Sequence, residues 1–140
     1  MGREIRFRAW DIENKKMLEV VSLGIGFGSS HRCEEQDGEW SVGTHDPGLV
    51  IMQWTGLNDL NGVPIYEGDV VAFNEDVGVV KFGEYEDGEQ YNIISHIGYY
   101  VDFPNDSDGS WEGTLSDIHS TCRVIGNIYE HNDLINHRSV

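Results

Sequence analysis

The sequence is short of positive charge, of cysteine and of long apolar runs, and each shortage excludes something. Nine Lys and Arg stand against 25 Asp and Glu, for a net charge of -16, and that balance opposes attraction to phosphate backbones or anionic lipid heads. Generic coating of DNA or of a membrane surface is disfavoured. The two cysteines, Cys33 and Cys122, are too few for a disulfide framework, and a cytosolic setting would keep both reduced. No apolar run is long enough for a membrane span, and no basic start leads into an apolar stretch and a small-residue cleavage site. A cytoplasmic protein is therefore expected, in which the sequon Asn105-Asp106-Ser107 lacks a secretory context. Long amphipathic helices, internal repeats and low-complexity tracts are also missing.

What remains is a β pattern on 140 residues, enough for one domain that buries roughly two-thirds of its unfolded surface. Over residues 3–10, Ile5, Phe7 and Ala9 alternate with Arg6, Arg8 and Trp10, which predicts a strand with those two sets on opposite faces. Glu13-Asn14-Lys15-Lys16 then makes a polar turn into the valine-rich residues 17–23, a hairpin. Gly24-Ile25-Gly26-Phe27-Gly28 resembles a phosphate-cradling loop only on the surface, because no capped helix follows it. Alternate glycines suit a bulge or a close strand crossing better. Residues 31–48 are polar, with Glu34, Glu35, Asp37 and Glu39 crowded together and Trp40 and Val42 as anchors; an exposed excursion is expected.

Residues 49–54 return to strand composition, and Asn61-Gly62 with Pro64 interrupts any helix. Short apolar stretches at 70–73, 77–82, 91–97, 99–103 and 122–129 are separated by polar, acid-rich turns, the spacing of antiparallel β structure. Residues 114–118 suit a helical turn, and a short terminal helix is expected through Leu134 and Ile135. The fold class is mostly β (α+β): a small antiparallel SH3-like β-barrel in the central and C-terminal part, with an N-terminal β-hairpin and at most short helices. Residues 1–48 would supply the hairpin and acidic excursion and 49–140 the barrel region, together forming one compact unit.

Few residues look chemical. Glu67-Gly68-Asp69 brings two carboxylates close in sequence, but acid–base pairs need a pocket that separates their pKa values, and glycine between them more simply marks a bend into the next strand. His31-x-Cys33 and His119-x-x-Cys122 offer two nitrogens and two sulfurs, a weak zinc set because the first spacing is tight and nothing brings the pairs together. Surface histidines and buried thiols are the plainer reading. An EF-hand register on Asp106, Asp108 and Gly109 puts Pro104 and Leu115 at ligand positions and fails. No serine has a nucleophile-elbow context, and Cys122 with His119 lacks a third member. No catalytic residue, metal or cofactor is assigned.

Binding has more support. Five of the nine basic residues, Arg3, Arg6, Arg8, Lys15 and Lys16, lie in the first hairpin, and Arg6, Arg8 and Trp10 on one face would stack on a base or clamp an acidic partner. Ion pairing with the acidic remainder or a neighbouring subunit accounts for the same face. Trp54, Tyr66, Tyr99, Tyr100 and Trp111 divide between core and interface in the same way.

Three ordered motifs carry a resemblance across nearly the full chain: Arg3-Glu4-Ile5-Arg6-Phe7-Arg8-Ala9-Trp10-Asp11; Gln53-Trp54-Thr55-Gly56-Leu57 with Ile65-Tyr66-Glu67-Gly68-Asp69-Val70-Val71; and Val124-Ile125-Gly126-Asn127-Ile128-Tyr129-Glu130. The chain resembles the YopX family of phage and prophage proteins. That resemblance implies a mostly β, barrel-containing fold and transfers no catalytic residue; Trp54, where tyrosine is commoner, and the acidic segment 34–39 depart from the family. The expected function is a non-enzymatic accessory protein that binds an unknown host or phage protein, as a small homo-oligomer, with acidic loops at 34–39 and 84–89 steering basic partners. Candidate binding residues are Arg6, Arg8, Trp10, Trp54, Tyr66, Glu67 and Asp69. The alternative is nucleic-acid handling, by direct binding through Arg6, Arg8 and Trp10 or by acidic mimicry of DNA. A zinc enzyme built on His31, Cys33, His119 and Cys122 ranks third.

Overall fold

The chain is mostly strand, with one short α-helix among the described residues. The computed structural model describes residues 4–22, 30–34, 40–44, 49–87, 94–106 and 109–131. They belong to two compact units, Met1–Trp54 and Thr55–Val140. The boundary expected ahead of Leu49 moves to Trp54/Thr55, because residues 49–53 pair with the first strand.

The first unit contains β1 (Phe7–Asp11), β2 (Lys16–Ser22), β3 (Ser30–Glu34), β4 (Trp40–Thr44) and the first part of β5 (Leu49–Asn58), in the order β4-β3-β2-β1-β5 with antiparallel neighbours. The hairpin β1–β2 forms where the polar turn predicts it. Asp11 Oδ1 accepts the backbone N–H groups of Glu13 and Asn14, both at 3.1 Å, and Oδ2 accepts the Asn14 amide at 2.8 Å. That amide is the main reason the Asp11 carboxyl sits below its ordinary pKa. Ala9 lies opposite both Leu18 and Ile51, and Ala9 and Leu18 form a small buried cluster with Val20, Leu49 and Ile51 at its margin.

The polar segment after the hairpin differs from expectation. Residues 30–34 and 40–44 are paired strands, with Ser30 opposite Thr44, Glu34 opposite Trp40, and Cys33 opposite Val20 of β2. Backbone hydrogen bonding to an existing edge builds a strand with few apolar residues, which composition does not reveal. The glycine-rich segment 23–29 and the acidic residues 35–39 lie outside the described residues.

The second unit contains β6 (Pro64–Tyr66), β7 (Asp69–Phe73), β8 (Asp76–Asp87), β9 (Ile94–Asp106), β10 (Gly109–Thr114), α1 (Leu115–Ile118), a 3-10 turn (His119–Thr121) and β11 (Arg123–Asn127). Five of these strands make an antiparallel sheet in the order β10-β9-β8-β7-β11, curled as a half-barrel. Its core holds Ile65, Val71, Val80, Val101, Phe103, Leu115, Ile118 and Cys122, with Phe73 and Trp111 packed against them. The rings of Phe103 and Trp111 stack at 4.3 Å. The helical turn expected at 114–118 is α1. Two expected strands, 91–97 and 99–103, prove to be a single strand, β9, which runs through Gly98; β10 had no forecast because Trp111 is its one large apolar residue. The expected terminal helix lies outside the described residues.

Candidate functional site

In the first unit the register puts Arg8 and Trp10 on one face, beside Met17 and Glu19 of β2 and Met52 and Val50 of β5, and just before β1 Arg6 O accepts the Trp54 N–H at 2.8 Å. The expected stacking platform of Arg6, Arg8 and Trp10 nevertheless does not form. Trp10 is 8% exposed, so its ring is not offered to a ligand. The Arg6 guanidinium instead lies over the Trp54 ring, 5.1 Å from its centroid, and 3.3 Å from the Glu4 carboxylate. A cation held between an indole and a carboxylate is already engaged. Trp54 is the ledge for that cation.

In the second unit the motif residues meet. β7 and β11 pair with Val71 opposite Val124, Val70 opposite Gly126 and Asp69 opposite Asn127, so two motifs distant in sequence form one ladder. Thr55 Oγ1 donates to Ile65 O at 2.8 Å and accepts from Leu57 N–H at 3.2 Å, which joins the two halves of the central motif. Asp69 is 1% exposed; its Oδ2 accepts the Tyr66 N–H at 2.8 Å and closes a turn in which Gly68 takes φ 85°, a left-handed conformation suited to glycine. Glu67 sits half-buried on the same turn. Asn127 Oδ1 accepts from Tyr129 and Glu130 N–H at 3.0 and 2.8 Å, and its amide donates to Glu130 Oε1. The polar motif residues are thus spent on the backbone, as Asn and Asp side chains commonly are at turns.

Asp59, which the sequence reading passed over, is the strongest case. It is buried, with Oδ1 accepting from Asn61 N–H at 2.8 Å and Val63 N–H at 2.9 Å, and Oδ2 from Val124 N–H at 2.8 Å. Burial pushes its pKa up, but the three backbone donors outweigh that and hold it below 3.8. One carboxylate therefore ties the 59–63 turn to the start of β11. The signal was available in Asn58-Asp59 ahead of Asn61-Gly62, a loop in which an acceptor side chain is needed.

The second His/Cys pair does not make a nucleophile. Cys122 is fully buried; desolvation, aided by the charge of Asp59, pushes its thiol up to about 11, and its Sγ lies 3.5 Å from His119 O. A thiol so placed stays protonated at neutral pH. His119 Nδ1 is 2.8 Å from Asn58 O. Among the described residues no three His, Cys, Asp or Glu side chains group as a metal ion requires. The side chains of His31 and Cys33 lie outside the description.

The surface that does stand open is on the β8–β9 ribbon. Val80 opposite Val101, Phe82 opposite Tyr99, Glu84 opposite Ile97 and Glu86 opposite Ser95 share one sheet face. Along that face Val80 and Val101 are buried in the core, but Phe82 is 57% and Ile97 79% exposed. The buried face continues into the open. Phe82 is braced edge-on by Tyr99 at 4.9 Å, and Glu84 Oε1 accepts the Ser95 hydroxyl at 2.9 Å. On the opposite face Tyr85 is buried between His96 and Tyr100, stacked at 5.3 and 4.8 Å, and its hydroxyl shares a 2.9 Å hydrogen bond with Thr114. Lys81 is committed there too, 2.8 Å from Asp102, whose hydrogen bond raises its pKa. In the sequence Phe82 and Ile97 simply end short apolar stretches, because composition does not show where cover stops.

The family model described as YopX protein matches residues 6–136. A solved structure, that of protein EF1440 from Enterococcus faecalis, is similar at 25% identity and a TM-score of 0.51, covering 96% of this chain and 99% of that one. No curated protein matches. No helix among the described residues is long and apolar enough to cross a membrane.

Proposed function

We propose, from the premise that this chain belongs to the YopX family, that it is a phage- or prophage-encoded accessory protein acting in the host cytoplasm by binding another protein, without catalysis. The observation that carries this reading is the division of labour in the second unit. Motif polar groups that suggest chemistry, Thr55, Asp69 and Asn127, are consumed by backbone donors and acceptors, while Phe82 and Ile97 stand exposed beside acidic side chains. Large exposed apolar residues in a contiguous strip are the ordinary mark of a protein interface. Direct nucleic-acid binding has less support, because the Arg6 cation is already paired with Trp54 and Glu4 and the net charge of -16 opposes it.

Light scattering coupled to size-exclusion chromatography, on the protein alone and mixed with a duplex and a single-stranded oligonucleotide at moderate salt, tests this. The expected result is one defined mass, which also reads the oligomeric state, with neither oligonucleotide altering elution. A salt-sensitive shift to higher mass that disappears in the Arg6→Ala/Arg8→Ala variant contradicts it.

A further inference from the structure

We propose that the exposed strip Phe82–Tyr99–Ile97, with Glu84 and Glu86 on the same face, docks a basic amphipathic segment of the partner, one in which apolar side chains alternate or interleave with Lys or Arg. This rests on the protein-binding reading above and gives that partner a chemistry. The apolar part comes from register: a strand pair whose core face is buried at Val80 and Val101 exposes the next residues of the same face. A second buried surface laid on Phe82 and Ile97 extends an existing core rather than starting one, and each large side chain removed from water adds to the affinity.

The charge comes from the same register. Glu84 and Glu86 alternate with Phe82 along β8 and are exposed, and Glu84 is oriented by the Ser95 hydroxyl. The basic residue in this part of β8, Lys81, points to the other face and is paired with Asp102. Among the described residues the strip therefore presents apolar and anionic groups with no cation on its face. A second copy of the chain is a poor occupant, since laying the same strip on itself would bring Glu84 and Glu86 near their own like in a contact that excludes water, where like charges repel. A partner carrying cations at the alternating positions satisfies both features, and the ribbon's preformed backbone keeps the ordering cost low.

The test titrates three short labelled peptides into the full-length protein at physiological salt: one alternating leucine with lysine, one serine with lysine, and one leucine with glutamate. The leucine–lysine peptide is expected to bind at least about tenfold more tightly than either other, since the serine–lysine control loses the apolar anchor and the leucine–glutamate control loses the charge pair. In the Phe82→Ser/Ile97→Ser variant its affinity should fall to that of the serine–lysine peptide, with the unfolding curve unchanged because both residues are exposed. Glu84→Lys/Glu86→Lys should weaken the leucine–lysine peptide and strengthen the leucine–glutamate one.

Equal leucine–lysine binding by wild type and the serine variant overturns this surface while leaving a protein-binding function elsewhere on the molecule. A wild-type dimer that the serine variant dissociates overturns the basic occupant in favour of a second copy. Failure of wild type to bind any of the peptides overturns the proposal, and if an oligonucleotide binds as well, the protein-binding reading falls with it.

Discussion

Asp59→Ala is expected to destabilise the second unit by about 3–5 kcal/mol, because it strips the charged acceptor from three part-buried backbone hydrogen bonds at once. Those donors, on Asn61, Val63 and Val124, lie 2.8–2.9 Å from the carboxylate. Against a domain stability of roughly 5–15 kcal/mol, much of the folded population is at risk. Asp59→Asn should recover only part of the loss, since its amide must point donors at one of the same N–H groups. The pH dependence follows in sign. The folded-state pKa lies below the ordinary 3.8, so the contribution is complete above that value and is lost as pH falls through the folded-state value. Urea unfolding of wild type should weaken as the pH is lowered into that range, and Asp59→Asn should remove Asp59's part of the dependence. A variant as stable as wild type at neutral pH would show that Asp59 is not the tie between the 59–63 turn and β11.

Gly78→Ala is expected to cost about 2–4 kcal/mol, for a steric reason. A Cβ at Gly78 would lie 2.6 Å from Val101 Cγ1, 2.8 Å from Asp102 O and 2.8 Å from Phe103 Cδ1. Val101 and Phe103 are fully buried, and the Asp102 carbonyl is backbone in a strand paired on both sides, so none can yield without disturbing β9. Gly98 supplies the matched control. It lies on the same strand pair, but a Cβ there meets nothing within 4 Å, so Gly98→Ala should change stability by less than about 1 kcal/mol and can raise it by restricting the unfolded chain. Thermal unfolding of the two variants side by side decides the matter: similar melting points would mean that β8 and β9 do not approach as closely at Gly78 as the core requires.

The residues explain what could be read without coordinates. Val70, Val71, Val80 and Val101 lie in short apolar stretches and became the strands of the core, because burial of one face imposes a period that composition carries. The segment at 30–34 and 40–44 carries no such period and is held by its ladder to β2, a long-range pairing that local composition does not encode. Gly98 looked like a break and is an ordinary strand position opposite Gly83. The motifs identified the family, while their role emerged only when Asp69 and Asn127 were seen side by side on β7 and β11. Arg6, Arg8 and Trp10 do share a face, but period two says nothing of what lies over it, and Trp10 is buried. Phe82 and Ile97 end short apolar stretches for the converse reason: strand length is legible, and the point at which cover ends is not.

The polar motif residues of this chain thus serve architecture, and its exposed apolar, acidic strip is the surface proposed for recognition. Calorimetric titration of wild-type protein, at physiological salt, with the leucine–lysine peptide and in parallel with a duplex oligonucleotide tests that assignment most directly. The account predicts saturable binding of the peptide and no heat of binding from the duplex. Saturable binding of the duplex that falls steeply with salt, together with no binding of the peptide, would contradict it and move the working surface to Arg6 and Arg8.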